Sequence, residues 1–193
     1  MSAIPAYDLL SMYAAGIFPM AEGRGGPIML FSPDPRTILD PARLHLTKSL
    51  RKTVSAGRFE IRINGDFERV MRHCADREDT WISEDIIASY VALYELGYAH
   101  SVEAWKEGEM AGGLYGVSIG AAFFGESMFF LQRDASKVAL AALCQRMIDR
   151  GMTLLDVQYT TPHLQRLGAE EISREEYLKR LDKALKLPVS FID

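Results

Sequence analysis

The stretch from Ser101 to Tyr159 constrains the fold most. Ser101–Trp105 reads as a strand, Lys106-Glu107-Gly108-Glu109 as a turn, Met110–Ile119 as a second strand and Ala121–Phe130 as a third. Asp134 is placed to cap a helix running to Arg150, Gly151 closes it, and Thr153–Tyr159 returns as a strand. Hairpin-connected strands followed by a helix and another strand predict a mixed sheet flanked by helices, an α/β or α+β domain. Around this unit, residues 7–16 read as a short helix stopped by Gly16. A strand begins at Ile61, helices cover Asp66–Cys74 and Glu84–Leu96, and the last helix opens on the capping box Ser173-Arg174-Glu175-Glu176. Residues 17–36 hold four of the eight prolines and read as a loop-rich segment packed against the domain.

With 193 residues the chain is sized for one domain plus a small appendage. Its 48% hydrophobic and 25% charged residues exclude a disordered, collagen-like or coiled-coil chain. The net charge of −4 means that any nucleic-acid contact must come from a local patch. One exists: Arg43, Lys48, Arg51, Lys52, Arg58 and Arg62, with Glu60 the only acid among them, give +5 over twenty residues. Phosphate binding needs such a concentration of charge, and a solvated helix face is the plainer reading. Two cysteines, Cys74 and Cys144, cannot build a disulfide framework, and no apolar run reaches about 20 residues. The start lacks the pattern of a signal peptide, so the expectation is a cytoplasmic protein.

Asp156 and Gln158 lie two apart in a strand, which predicts one shared face with Leu154, while Leu155 and Val157 face the other way. An acid in an apolar strand must be solvated, paired or functional, and an ion pair to an arginine is the structural alternative. Glu126, set among Phe123, Phe124, Met128 and Phe129, is a second carboxylate in apolar surroundings. The glycines at 112, 113, 116 and 120 lack the lysine and Ser/Thr of a phosphate loop and suggest bulges or close backbone approach. The four histidines are scattered, so no metal or other cofactor is expected, and no serine nucleophile has its G-x-S-x-G context.

Nine segments in order resemble the leucyl/phenylalanyl-tRNA–protein transferases. They are Gly16-Ile17-Phe18-Pro19, Phe31-Ser32-Pro33-Asp34-Pro35-Arg36, Thr80-Trp81-Ile82, the segment Gly97 to Glu103, and Gly112 to Val117. They continue with Gly125-Glu126-Ser127-Met128-Phe129, Ala135-Ser136-Lys137, Leu155-Asp156-Val157-Gln158 and Leu167-Gly168-Ala169. The resemblance implies an α+β fold: a GNAT-like C-terminal domain over 63–193 with a mixed sheet flanked by helices, and a small N-terminal domain over 1–62. It implies transfer of Leu or Phe, sometimes Met, from aminoacyl-tRNA to the N-terminal Arg or Lys of acceptor proteins, which marks them for N-degron proteolysis.

By the same correspondence Asp156, Gln158 and Glu126 are the catalytic candidates. Trp81 would stack on the 3′-terminal adenosine. Leu114, Phe123, Met128, Leu140, Leu143, Met147 and Leu155 would form the amino-acid pocket, and the Arg43–Arg62 stretch would contact the tRNA acceptor stem. The chain departs from the family pattern at Met20, where Trp is usual beside the adenosine. It departs also at Leu30-Phe31 in place of Trp-Trp, and at Leu143 in place of a pocket Phe. Two rivals share the scaffold. A CoA-dependent N-acetyltransferase needs a glycine-bearing phosphate turn that Gln132 to Lys137 lacks. A non-catalytic tRNA-binding or regulatory module would have no evident need of the Asp156/Gln158 face.

Overall fold

The computed structural model describes residues 3–192. A short hairpin pairs β1 (Phe18–Ala21) with β2 (Ile28–Phe31). Seven further strands, β3 (Arg36–Leu39), β4 (Glu60–Ile63), β5 (Ala99–Lys106), β6 (Glu109–Ile119), β7 (Ala122–Phe130), β8 (Leu154–Gln158) and β9 (Glu170–Ile172), form one sheet in the order β4-β5-β6-β7-β8-β3-β9. Every neighbouring pair is antiparallel except β7 and β8, which are parallel and joined through helix α5 (Ala135–Arg150). The expected mixed sheet flanked by helices is therefore present. No described helix is long and apolar enough to cross a membrane.

Strand alternation sorts the core into two layers. Phe123 and Leu155 pack with Leu140, Leu143 and Met147 of α5 on one face. Their neighbours Phe124 and Leu154 pack on the other with side chains from α1 (Ala6–Ala14), α3 (Phe67–Ala75), α4 (Glu84–Glu95) and α7 (Arg174–Leu185). Burying each such Leu or Phe contributes about 1.5–3 kcal/mol. Helix starts are fixed locally. Thr47, before α2 (Lys48–Ser55), and Asp66, Ser83, Thr161 and Ser173 each accept a hydrogen bond from the amide three residues on, satisfying donors the helix cannot. Thr161 opens the short α6 (Pro162–Arg166).

Three features differ from the sequence expectation. Residues 17–36 are not only loop: β1 and β2 pair within them, too short and proline-bounded to show a period. The expected segment 1–62 contributes β3 and β4 to the central sheet. Asp134 stands at the start of α5 without capping it, because its backbone is left-handed (φ 69°) and its carboxylate takes Lys137 Nζ at 2.9 Å instead.

Glycine matters most at Gly116. The β6–β7 ladder pairs Tyr115 with Ser127 and Gly116 with Gly125, so Glu126 is an extra residue on β7, a bulge that re-aims its side chain. A Cβ on Gly116 would stand 2.2 Å from the Phe124 carbonyl oxygen. Only glycine lets the strands meet beside this bulge.

Candidate active site

The ladder between the parallel strands β7 and β8 ends at Phe124 opposite Asp156. Beyond it, residues 125–128 on one strand and 157–159 on the other line a cavity of about 380 Å³. Trp81, Met20 and Phe18 line it from the N-terminal side. The Ala21 amide donates to the Trp81 carbonyl at 3.2 Å, so β1 holds Met20 beside Trp81. The apolar end is built from Leu114, Met128, Leu140, Leu143 and Leu155. Phe123 and Met147, expected in this lining, are not in it. Both are fully buried behind the wall, Phe123 against the Phe191 ring (5.0 Å between centroids) and Met147 one helical turn beyond Leu143.

Asp156 does not face the cavity either. Its carboxylate, fully buried, accepts from Arg36 Nε at 2.9 Å and Nη2 at 2.6 Å, and from the Tyr177 hydroxyl at 2.7 Å. The Gln158 amide donates to it at 2.9 Å. Arg36, 1% exposed, also donates to the Gly16 carbonyl at 3.0 Å, and its guanidinium lies over the rings of Tyr177 (4.4 Å) and Phe18 (4.7 Å). Burial works against the charged guanidinium, but Asp156 outweighs it and the Arg36 pKa stands above its ordinary value. The arginine ion pair is thus the arrangement realised, and Asp156 has no room for a substrate cation. Arg36 carried a signal of its own, a lone charge heading an apolar strand.

The expected shared face of Asp156 and Gln158 is also broken. Gln158 adopts φ 57°, a left-handed conformation that side chains rarely take, and this turns it into the cavity with Leu155 and Val157. There its Nε2 donates to Glu126 Oε1 at 3.3 Å. Tyr90 donates to Glu126 Oε2 at 3.2 Å, and the Tyr13 and Tyr90 hydroxyls are hydrogen-bonded to each other. Sequence reasoning missed both tyrosines, which sit on different helices, α1 and α4. So the bulge of β7 and the turned end of β8 bring Glu126 and Gln158 together at the cavity, with Asp156 one hydrogen bond behind.

Burial raises the Glu126 pKa to about 8. The Tyr13 hydrogen bond opposes that rise, the Asp156 charge adds to it, and the Tyr90 bond and Arg36 charge oppose it. Its ordinary value is 4.5, so folding favours the protonated form. This contribution to stability is complete below pH 4.5 and is lost as the pH rises through about 8. Thermal melts between about pH 5 and pH 9 should show wild type losing more stability than Glu126→Gln. Equal pH slopes would contradict the shift.

The basic stretch lies away from this cavity. Arg43 pairs loosely with Asp40 (3.4 Å), and Arg62 is held by Glu60 (2.8 Å) and stacks over Trp105 (4.3 Å). Lys48, Arg51, Lys52 and Arg58 are exposed and make no ion pair among the described residues. Helix α2, which carries the first three of these, packs on α5.

The sequence matches two family profiles: "Leucyl/phenylalanyl-tRNA protein transferase N-terminal domain" over residues 4–34 and "Leucyl/phenylalanyl-tRNA protein transferase" over residues 38–182. A leucyl/phenylalanyl-tRNA–protein transferase of Gloeobacter violaceus is 52% identical over 183 residues, 95% of each chain. One of Rubrobacter xylanophilus is 52% identical over 184 residues, 95% of this chain and 96% of that protein. A solved GCN5-related N-acetyltransferase-like protein from Streptococcus suis aligns with a TM-score of 0.40 at 19% identity, over 86% of this chain and 64% of that one. With both profiles matched in order and half of all positions identical along nearly the full length, the chain belongs to the leucyl/phenylalanyl-tRNA–protein transferase family.

Proposed function

We propose that this protein moves Leu, Phe or Met from aminoacyl-tRNA to the α-amine of acceptor proteins that begin with Arg or Lys. The product then carries a destabilising N-terminus for N-degron proteolysis in the cytoplasm. The observation that carries this reading is the meeting of Gln158 and Glu126, 3.3 Å apart, at a cavity whose other end is apolar. The donor's side chain occupies that apolar end, and its terminal adenosine lies between Met20 and Trp81.

The acceptor amine attacks the ester carbonyl. A C–N bond forms, the bond from the carbonyl carbon to the ribose 3′ oxygen breaks, and the proton lost by the amine ends on that oxygen as the free hydroxyl. An ester is already activated, and an α-amine with pKa about 7.7–8.0 is already about a tenth to a fifth unprotonated at pH 7, so positioning can do most of the work. Gln158 gives its Nε2 hydrogen to Glu126, which turns its amide oxygen to accept from the attacking amine. Glu126, the one carboxylate among the described residues lining the cavity, faces the acceptor's cationic side chain, whose charge beside it releases to solvent the proton that burial holds on and leaves an ion pair. Asp156 is a positioning residue: it holds the Gln158 backbone rather than touching substrate.

The test is single-turnover transfer to an Arg-starting peptide from tRNA charged in turn with Leu, Phe, Met, Ala and Lys. The first three should react, with Ala slower and Lys excluded; a charged donor reacting as fast as Leu would overturn the assignment of the apolar pocket. The exposed α2 cations are proposed to meet the tRNA acceptor stem. Lys48→Ala/Arg51→Ala/Lys52→Ala should weaken tRNA binding and flatten log K against log salt by about two to three units, since each neutralised phosphate contributes about 0.7–0.9. An unchanged slope would place the stem elsewhere.

A further inference from the structure

A second cavity, of about 580 Å³, adjoins the first and shares Arg77, Met128 and His163 with it. Its far wall is the end of β7, the loop that follows and the first turn of α5. No side chain caps the amides of that first turn, because Asp134 is turned to Lys137. Ser136, second residue of the helix and 5% exposed, lines the cavity, and its hydroxyl has no hydrogen-bond partner among the described residues. His73 Nε2 on the opposite wall is likewise buried without a partner. Three fixed cations line the space, Arg77, Arg133 and Lys137, against the acids Asp76 and Asp134. Arg133 is 91% exposed and only 3.8 Å from Asp134, and Phe130 stands 65% exposed at the rim.

Amides at a helix start with no side-chain cap, a free hydroxyl and neighbouring cations are what a phosphate group needs. An exposed aromatic face beside them is what an unpaired base needs. Phe59, next to Arg58, packs in one small cluster with Ala135, whose chain neighbours Asp134 and Ser136 line the cavity, so the Arg58 end of the basic stretch lies close to this wall.

We infer that this second cavity holds the penultimate nucleotide of the donor's single-stranded 3′ end. The phosphodiester 5′ to the terminal adenosine sits at the start of α5 against Ser136 and Arg133, and the preceding base stacks on Phe130. The inference rests on the donor being an aminoacylated RNA, and it adds a subsite beyond the terminal adenosine.

The experiment compares three leucyl donors: charged tRNA, the 3′ ester of the dinucleotide cytidylyl-adenosine, and the ester of adenosine alone, which has no phosphate. Wild type should use the dinucleotide ester with at least about tenfold higher kcat/KM than the adenosine ester, the scale of one stacked base. Phe130→Ala and Arg133→Ala, both at exposed positions that do not line the first cavity, should erase that preference and leave the adenosine ester unchanged. Ser136→Ala should do the same more weakly. Three outcomes overturn the inference: no wild-type preference for the dinucleotide, equal losses on all three donors, or a raised KM for the acceptor peptide instead, which would give the cavity to the acceptor chain. Transfer from none of the three donors would overturn the underlying reading itself.

Discussion

Arg36→Met is expected to lower stability by about 3–5 kcal/mol, because it strands the Asp156 carboxylate in the core. For a domain of this size that is a fall in melting temperature on the order of 10 °C. Asp156 would keep its bonds from Tyr177 and the Gln158 amide but lose both guanidinium contacts. The double variant Arg36→Met/Asp156→Leu should recover much of the loss, since an apolar pair replaces an ion pair that was costly to desolvate. A single variant within about 1 kcal/mol of wild type would show that the pair does not anchor this end of the sheet.

Gln158→Ala should reduce kcat for peptide-bond formation by about 100- to 1000-fold, the usual loss when one preorganised hydrogen-bonding group at a reacting centre is removed. KM for the donor should hardly move, because the apolar pocket and Trp81 are untouched. Backbone strain supplies an independent check. Gln158 pays for its orientation with a left-handed φ of 57°, and this conformation costs a non-glycine residue about 1–2 kcal/mol. Gln158→Gly should therefore be more stable than Gln158→Ala while being equally slow. If Gln158→Gly kept wild-type kcat, the side chain would have no part in the chemistry.

The strand, helix and strand of residues 101–159 could be read from the sequence because long apolar periods survive any tertiary context, and the observed β5 to β8 follow them closely. The demand of Asp156 for a partner was also legible, since burial of an acid allows few solutions. Which arginine answers it was not, because Arg36 arrives from β3, on the far side of β8, 120 residues earlier. The face of Gln158 was misjudged for a similar reason. Alternation assumes extended backbone, and one left-handed residue at a strand end cancels it. The bulge at Glu126 had a trace in the sequence, the glycine at 116, but its register depends on the partner strand. Phe123 and Met147 have the same chemistry as their pocket neighbours, and only depth separates wall from lining.

The measurement that tests the central claim most directly mixes the protein with Leu-, Phe- or Met-tRNA and peptides that differ only in a first residue of Arg, Lys or Ala. Mass spectrometry then locates any added residue. The account predicts one amino acid joined through the α-amine of the Arg and Lys peptides, with the Ala peptide unmodified. Salt-sensitive tRNA binding without any peptide product would contradict it and make the scaffold a binding module. Equal modification of the Ala peptide would contradict the role assigned to Glu126.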